Sequence, residues 1–310
     1  MGARRILVAL GAVVVVAGGA YALTAPRRLP PDAIAAEGSG DPSRGERLFH
    51  AGGCASCHAP SETAGDAPVV LAGGPPLVTK FGTFHAPNIT PDTQAGIGAW
   101  SLADFANAMQ RGVDPNGQPL YPAFPYTSYA RMTAGDIADL HAYLMTLPTS
   151  GGVSPPNDLA FPYSLRRGVG LWQRAFLDPV PVVALPADAS DTVKRGQYLV
   201  EGPGHCGECH TPRTFGGLGG LDHSRWLAGG PAPEGDGNIP DITPSGETAD
   251  WSEADLATYF ETGFTPDFDS VGGSMVAVQN NLAKLPAEDR AAIAAYLKAI
   301  PAVAPAGEGN

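Results

Sequence analysis

The sequence predicts an all-α protein built from two tandem domains, each a few helices joined by long loops, behind one N-terminal apolar helix. Three observations lead to this prediction: a set of motifs occurs twice along the 310 residues, apolar residues recur at helical spacing within each copy, and the chain begins with an uncharged apolar stretch. We expect the N-terminal segment at residues 1–28, the domains at 40–148 and 193–302, and an inter-domain linker at 149–192.

The N-terminal stretch is predicted to be a membrane anchor or an export signal. Residues 6–23 carry no charge and follow Arg4 and Arg5, and a helix of this length just spans the hydrocarbon of a bilayer. The run is longer than the apolar region of a typical signal peptide, which favours an uncleaved anchor, although Ala20-Tyr21-Ala22 has the form of a cleavage site. Either interpretation predicts that the remaining chain lies across the membrane.

The internal repeat has an offset of 151–153 residues. Three pairs of segments define it: Arg44-Gly45-Glu46-Arg47-Leu48 with Arg195-Gly196-Gln197-Tyr198-Leu199, Asn88-Ile89-Thr90-Pro91 with Asp241-Ile242-Thr243-Pro244, and Trp100-Ser101 with Trp251-Ser252. This pattern indicates a tandem duplication.

Each copy contains signals for two amphipathic helices. Ser101 with Asp104 and Ser252 with Asp255 form capping-box patterns, and Gly112 and Gly263 are placed to end these helices. A closing helix in each copy is predicted to begin at Thr133 and after Pro286, because apolar residues follow at a spacing of three or four.

The linker contains an apolar and basic stretch at residues 165–176, which we interpret as one helical piece. Its Trp172 and Phe176 are expected to pack against a domain rather than to face a partner or lipid.

All four cysteines lie in two CxxCH motifs, Cys54-Ala55-Ser56-Cys57-His58 and Cys206-Gly207-Glu208-Cys209-His210. Two thiols at this spacing can form thioethers to the vinyl groups of one porphyrin, and the adjoining histidine can bind its iron. A redox-active CxxC or a zinc site built from two CxxC pairs would not explain a histidine directly after the second cysteine in both copies. The sequence therefore predicts two haems c, bound through Cys54, Cys57 and His58 and through Cys206, Cys209 and His210.

The long stretches after the motifs, residues 59–99 and 211–250, are expected to wrap around these haems. Glycine and proline, 40 and 31 in total, suit loops that approach a flat apolar group closely.

The second iron ligand is expected to differ between the two copies. Met275 is the only methionine after the second motif, and we assign it to the second iron. The equivalent position in the first copy is Phe124, which cannot bind iron. Three alternatives remain open for the first iron: Met132, which we prefer, His85, or a site left open or bound by water.

The charge pattern limits the classes of partner. The net charge is −12, and residues 1–28 contain four arginines and no acid, so the remaining chain is more acidic still. Nucleic acid is therefore not an expected partner. Arg213 and Arg225 could pair with haem propionates or belong to the ordinary surface charge.

The motifs in combination resemble the multihaem cytochrome c subunits of membrane-bound alcohol, gluconate and sugar dehydrogenases. The resemblance rests on the two CxxCH units and on Asn88-Ile89-Thr90-Pro91-Asp92, Gly96-Ile97-Gly98-Ala99-Trp100-Ser101 and Leu120-Tyr121-Pro122-Ala123-Phe124-Pro125-Tyr126. It implies two cytochrome c domains and a place on the periplasmic face of the bacterial inner membrane, anchored by residues 6–23. It also implies that electrons come from a partner dehydrogenase and pass to quinone or to another cytochrome. For this chain we expect a dehydrogenase or respiratory donor and a cytochrome or oxidase acceptor. The chain has two haem motifs where many such subunits have three, and Phe124 where methionine is common.

Two functional hypotheses arise from these residues. The first is a pure electron-transfer protein without a substrate site, because no nucleotide-binding loop or catalytic triad is recognisable. The second makes the first haem a catalytic centre with an open or displaceable ligand for peroxide or a small sulfur compound, which Phe124 motivates.

Overall fold

The structure is a computed structural model, and it describes residues 2–34, 38–60, 69–232 and 237–303. Parts of the two long loops, residues 61–68 and 233–236, therefore lie outside the described residues. The predicted all-α class is confirmed, since strands in the described part are two or three residues long.

The first half of the chain contributes six α-helices to the described structure. They are α1 (Gly2–Leu23), α2 (Pro42–Ala51), α3 (Cys54–His58), α4 (Leu102–Arg111), α5 (Tyr126–Tyr129) and α6 (Ala134–Leu144). The linker contributes α7 (Val169–Phe176), preceded by a 3₁₀ turn at Arg166–Gly168, which confirms its predicted helical piece. The second half contributes α8 (Asp191–Glu201), α9 (Gly207–His210), α10 (Glu253–Thr262), α11 (Met275–Leu282) and α12 (Ala287–Ala299).

Short antiparallel strands accompany the long loops. In the first half β1 (Leu77–Thr79) pairs with β2 (Gly82–Phe84), which pairs in turn with β3 (Asp158–Leu159) from the linker. In the second half β4 (Gly230–Pro231) pairs with β5 (Asn238–Ile239). These strands were not predicted from the sequence.

The predicted helix ends are confirmed by their hydrogen bonds. Ser101 and Ser252 each form a capping box with the acidic residue three positions later, and Thr133 accepts a hydrogen bond from the backbone N–H of Asp136. Gly112 and Gly263 end α4 and α10 with φ of 59° and 77°, in the left-handed region that glycine adopts without strain.

Two hydrophobic clusters form the interior. The first includes Leu48, Phe105, Ile137 and Leu144, and the second includes Leu199, Leu256, Phe260 and Leu297. We call the parts of the chain around these clusters the first unit and the second unit. Ala51 from α2 of the first unit packs into the second cluster, so the two interiors adjoin. The exact domain boundaries stay a prediction.

The repeated Arg-Gly pairs explain how the first and last helices of each unit pack. A Cβ placed on Gly45 would lie 2.0 Å from the carbonyl oxygen of Asp139, and one on Gly196 would lie 1.9 Å from that of Ala292. These glycines therefore let α2 approach α6, and α8 approach α12, at backbone contact distance. The preceding arginines secure both crossings: Arg44 bonds Asp139, and Arg195 bonds Asp289.

The linker packs on both units. Trp172 has its ring 6.2 Å from that of Tyr126 in the first unit and donates its Nε1–H to the carbonyl of Leu218 in the second. Phe176 packs beside Trp172, with ring centroids 5.1 Å apart. The expectation that these two aromatic residues pack against the folded chain is confirmed.

We predict that Gly45→Ala and Gly196→Ala each destabilise the protein by about 1–3 kcal/mol, because a methyl group at either crossing forces the paired helices apart. Thermal unfolding followed by circular dichroism measures the effect. Gly272→Ala is the matched control, since a Cβ there meets no atom within 4 Å. An unchanged melting temperature for both crossing variants would contradict the packing described here.

Candidate functional site

The two CxxCH motifs fold in the same way. Each forms a short helix, α3 or α9, that begins beside a glycine-rich turn and ends at the motif histidine. Burial raises the pKa of Cys54 and of Cys206 to about 12, so both thiols are neutral in an apolar setting. Such surroundings suit thioether formation to an apolar group better than a thiolate site for zinc.

The motif histidines are held by identical hydrogen bonds. His58 Nδ1 lies 2.8 Å from the carbonyl oxygen of Pro87, and His210 Nδ1 lies 2.9 Å from that of Pro240. A carbonyl oxygen can only accept, so Nδ1 carries the proton and the lone pair remains on Nε2. Burial lowers the pKa of both histidines, which keeps them neutral. Each imidazole is therefore prepared to bind a metal through Nε2.

The loop after each motif folds back onto the motif by matching contacts. The N–H of Gly73 donates to the carbonyl of His58, and the N–H of Gly229 donates to that of His210. The fully buried Leu71 and Leu227 accept equivalent hydrogen bonds from Ile89 and Ile242. This arrangement encloses one side of each site with apolar groups, as a porphyrin requires.

The repeated Ile-Thr-Pro segments hold these loops in place. Asn88 Oδ1 accepts from both the N–H and the hydroxyl of Thr90, and its Nδ2 donates to the carbonyls of Ser150 and Gly152. In the second unit Asp241 accepts from the N–H of Thr243 in the same way. The recurrence of the Ile-Thr-Pro segment is thus explained by the hydrogen bonds that close the loop around each site.

Met275 and Phe124 lie where the two units differ. Met275 is the first residue of α11 and packs, half-buried, against the second cluster. Phe124 packs against the first cluster, with its ring 5.5 Å from that of Tyr129. The assignment of Met275 to the second iron stays a prediction.

Met132 is buried, with 3% of its surface exposed, between the end of α5 and the start of α6. Its counterpart before α12 is Leu285, also 3% exposed, and the backbone carbonyls of both residues accept a side-chain hydrogen bond. This equivalence gives Met132 a packing role in the first cluster. Its assignment to the first iron stays a prediction.

His85 is two residues before Pro87, whose carbonyl accepts a hydrogen bond from His58, and the backbone N–H of His85 donates to the side chain of Asn157. Its assignment to the first iron stays an open alternative. His205 Nε2 lies 3.1 Å from the carbonyl oxygen of Gly52 in the first unit, so this histidine contributes to the contact between the units.

The two arginines considered for propionates differ in their contacts. Arg213 forms an ion pair with Glu208, inside the second motif. Arg225 has a buried Nε without a hydrogen-bond partner among the described residues. A buried guanidinium N–H of this kind can donate a hydrogen bond to a haem propionate, so the second site fits a haem in this respect as well.

The contact between the units was not predicted from the sequence. Glu208 accepts from the hydroxyls of Thr127 and Ser128, at 2.7 and 3.1 Å, and Asn281 donates to Ser56 at 3.2 Å. Glu208 and Ser56 occupy the same position within their motifs, and Ser128 and Asn281 occupy the same position near the ends of α5 and α11. The contact is therefore reciprocal, as across a pseudo-two-fold axis.

Comparison with known proteins agrees with this geometry. The family model described as cytochrome c matches residues 42–148. A diheme cytochrome c-type of Cereibacter sphaeroides is 52% identical over 301 residues, covering 97% of this chain and 99% of the relative.

Subunits of dehydrogenases are also similar. The fructose dehydrogenase cytochrome subunit of Gluconobacter japonicus is 38% identical over 86% of this chain and 54% of the subunit. The gluconate 2-dehydrogenase cytochrome c subunit of Pantoea cypripedii is 37% identical over 83% of this chain and 59% of the subunit. The chain thus spans little more than half the length of these two subunits.

We predict that Met275→Leu removes the contribution of the second haem to the weak far-red absorption band typical of ferric haem with a methionine ligand. The potential of the second haem falls by on the order of a hundred millivolts, a fraction of the roughly 0.8 V range set by axial ligands. Redox titration of the purified protein measures both effects. Met109→Leu, a buried methionine of α4, is the control and leaves the second haem unchanged. An unchanged potential of the second haem in Met275→Leu would exclude this ligand.

Proposed function

The chain belongs to the cytochrome c family and carries two haems c, and from this premise we propose that it transfers electrons between redox proteins. The donor is a dehydrogenase or another respiratory protein, and the acceptor is a downstream cytochrome or oxidase. The site of action is the periplasmic side of the bacterial inner membrane. Similarity to the cytochrome subunits of fructose and gluconate dehydrogenases supports the choice of donor.

The reciprocal contact between the units is the observation that carries the proposal. It joins the motif helix α3 to α11 of the second unit through Ser56, and the motif helix α9 to α5 of the first unit through Glu208. Tyr129 adds to the contact, because its ring lies 5.7 Å from that of His205, just before the second motif. The two sites are thus neighbours in one interface, which is the arrangement that electron exchange within the chain requires.

The chain's own residues set the properties of each site. The haem, when bound, supplies a one-electron iron couple. His58 and His210 are fixed in the tautomer that binds iron through Nε2, and their Nδ1–H bonds to proline carbonyls increase the basicity of the ligand. The fully buried Leu71 and Leu227 give each site apolar surroundings on the side of the returning loop.

The N-terminal helix supports attachment to the membrane. The stretch Arg4–Leu23 has a mean hydropathy of 2.4 and is fully exposed, and it alone among the described helices is long and apolar enough to cross a bilayer. We propose that it is an uncleaved anchor.

A second candidate function rests on Phe124. If no residue takes the place of methionine at the first haem, this haem is open to peroxide or a small sulfur compound. The two functions differ in the spin state of the first haem.

For a pure electron carrier, electron paramagnetic resonance of the purified protein is expected to show two low-spin haems that do not change when cyanide or peroxide is added. If Met132 is the ligand, Met132→Leu converts the first haem to a high-spin form that binds cyanide. Leucine fits this position because Leu285 occupies its counterpart. A high-spin, cyanide-sensitive haem in the unmodified protein would instead support the catalytic function, and an unaltered first haem in the variant would exclude Met132.

The interface generates a separate prediction. Combining Thr127→Val with Ser128→Ala removes two hydrogen bonds to the largely buried Glu208. This loss weakens the free energy of contact between the units by about 1–3 kcal/mol. We expect several-fold slower electron exchange between the haems after flash reduction of one of them. The control is Thr258→Val on the exposed side of α10. Equal rates in all three proteins would argue against this interface as the route.

A further inference from the structure

The end of α1 is held by arginines of the linker. Arg167 donates to the carbonyl of Tyr21 at 2.8 Å and to the hydroxyl of Thr24 at 3.1 Å. Arg174 donates to the carbonyls of Leu23 at 2.6 Å and Ala22 at 3.0 Å. The last carbonyls of a helix have no partner within it and carry partial negative charge, so the guanidinium groups both satisfy and neutralise them.

The chain after α1 is fixed to the folded units as well. A Cβ on Gly170 would lie 2.0 Å from the carbonyl oxygen of Thr24, so α7 meets the backbone of this segment directly. Arg28 donates to the carbonyls of Asp114 and Pro115 in the first unit. These contacts hold the end of helix α1 and the residues after it against the cytochrome c units. We call the contacts of Arg28, Arg167, Gly170 and Arg174 with this segment the seat of α1.

The surface around this seat is unusually apolar for an exposed region. Phe161 and Phe215 are 78% and 77% exposed, and three leucines are also exposed nearby in the chain. We call this set the collar: Phe161, Leu165, Leu171, Phe215 and Leu218. Contacts connect it to α7, because Trp172 bonds the carbonyl of Leu218 and the ring of Phe176 lies 6.4 Å from that of Phe215.

The collar is accompanied by positive charge in an otherwise acidic chain. Residues 165–176 contain three arginines and no acid, whereas the whole chain has a net charge of −12. Arg166 pairs with Asp114 of the first unit, which leaves Arg167 and Arg174 without an acidic partner in the described ion pairs. Arg27, next to the end of α1, is exposed. Lys80 bonds the carbonyl of Gly216 beside Phe215. Exposed aromatic and aliphatic side chains interleaved with basic groups are typical of surfaces that lie in the headgroup region of a membrane.

We propose that the collar lies on the membrane that α1 enters, with anionic phospholipid headgroups bound by the surrounding basic side chains. The inference rests on the proposed anchoring by α1. Lipid is the occupant because the arginines that hold the end of α1 belong to the same helix and turn as Leu165 and Leu171 of the collar, and Phe215 and Leu218 contact that helix. A bilayer around α1 therefore has to meet this surface. The attachment then fixes the orientation of both haem sites relative to the membrane.

The test uses the full haem-loaded protein in lipid vesicles. Because the four native cysteines are bonded to haem, Phe215→Cys provides one thiol for a fluorescent label. The matched control is Phe268→Cys, 90% exposed in the loop between α10 and α11. Vesicles contain phosphatidylglycerol and phosphatidylcholine with a nitroxide on a fraction of the lipids. We expect the label at position 215 to be quenched several-fold more than the label at 268, and less strongly when phosphatidylglycerol is omitted.

A second variant separates seating from anchoring. Adding Arg167→Gln and Arg174→Gln to Phe215→Cys is expected to reduce quenching to the level of the control, while the protein still floats with the vesicles and keeps its visible spectrum. Equal quenching at positions 215 and 268 in protein that floats with the vesicles would overturn the collar proposal alone. Protein that does not float would overturn the anchor as well. Quenching that appears only after addition of a dehydrogenase would assign the collar to a protein partner.

Discussion

The hydrogen bond from each motif histidine to a proline carbonyl is the interaction on which both sites depend. It joins His58 to Pro87 and His210 to Pro240, across 29 and 30 residues. One contact selects the tautomer that can bind iron and also closes the loop that forms the wall of the site. Loop closure of this length costs conformational entropy, which the buried leucines and the asparagine or aspartate turn beyond the proline help to offset. Ligand geometry and loop fold are therefore established together.

The same duplication that produced two sites also produced the surface between them. An interface formed by equivalent residues of two similar units is self-complementary, so each helix that carries a motif meets α5 or α11 of the other unit. The units have since diverged within this symmetry. Glu208 brings a carboxylate that requires Arg213 and two hydroxyl groups, whereas Ser56 at the equivalent position needs one amide. The second motif therefore carries a carboxylate paired with a guanidinium where the first carries one hydroxyl group, so the two motif helices differ in their polar surroundings.

Local signals in the sequence predicted half of the described α-helices, because their causes lie within a few residues. The capping boxes at Ser101 and Ser252 and the terminal glycines are of this kind. The interface could not be predicted, since Ser56 and Asn281 are 225 residues apart and neither residue type indicates a partner. Gly45 and Gly196 are an intermediate case. The repeat showed that both glycines recur, but only the packing of α2 against α6 and of α8 against α12 explains why glycine is required there.

Helix α7 links the interface to the anchor. Trp172 touches both units, Gln173 donates to the carbonyl that ends α4, and Arg174 holds the last turn of α1. Eight residues therefore contact both the end of α1 and the two units. If α1 is the anchor proposed above, these contacts would set the orientation of the two haem sites relative to the membrane. The chain as a whole has a net charge of −12, which would attract partners with complementary basic surfaces.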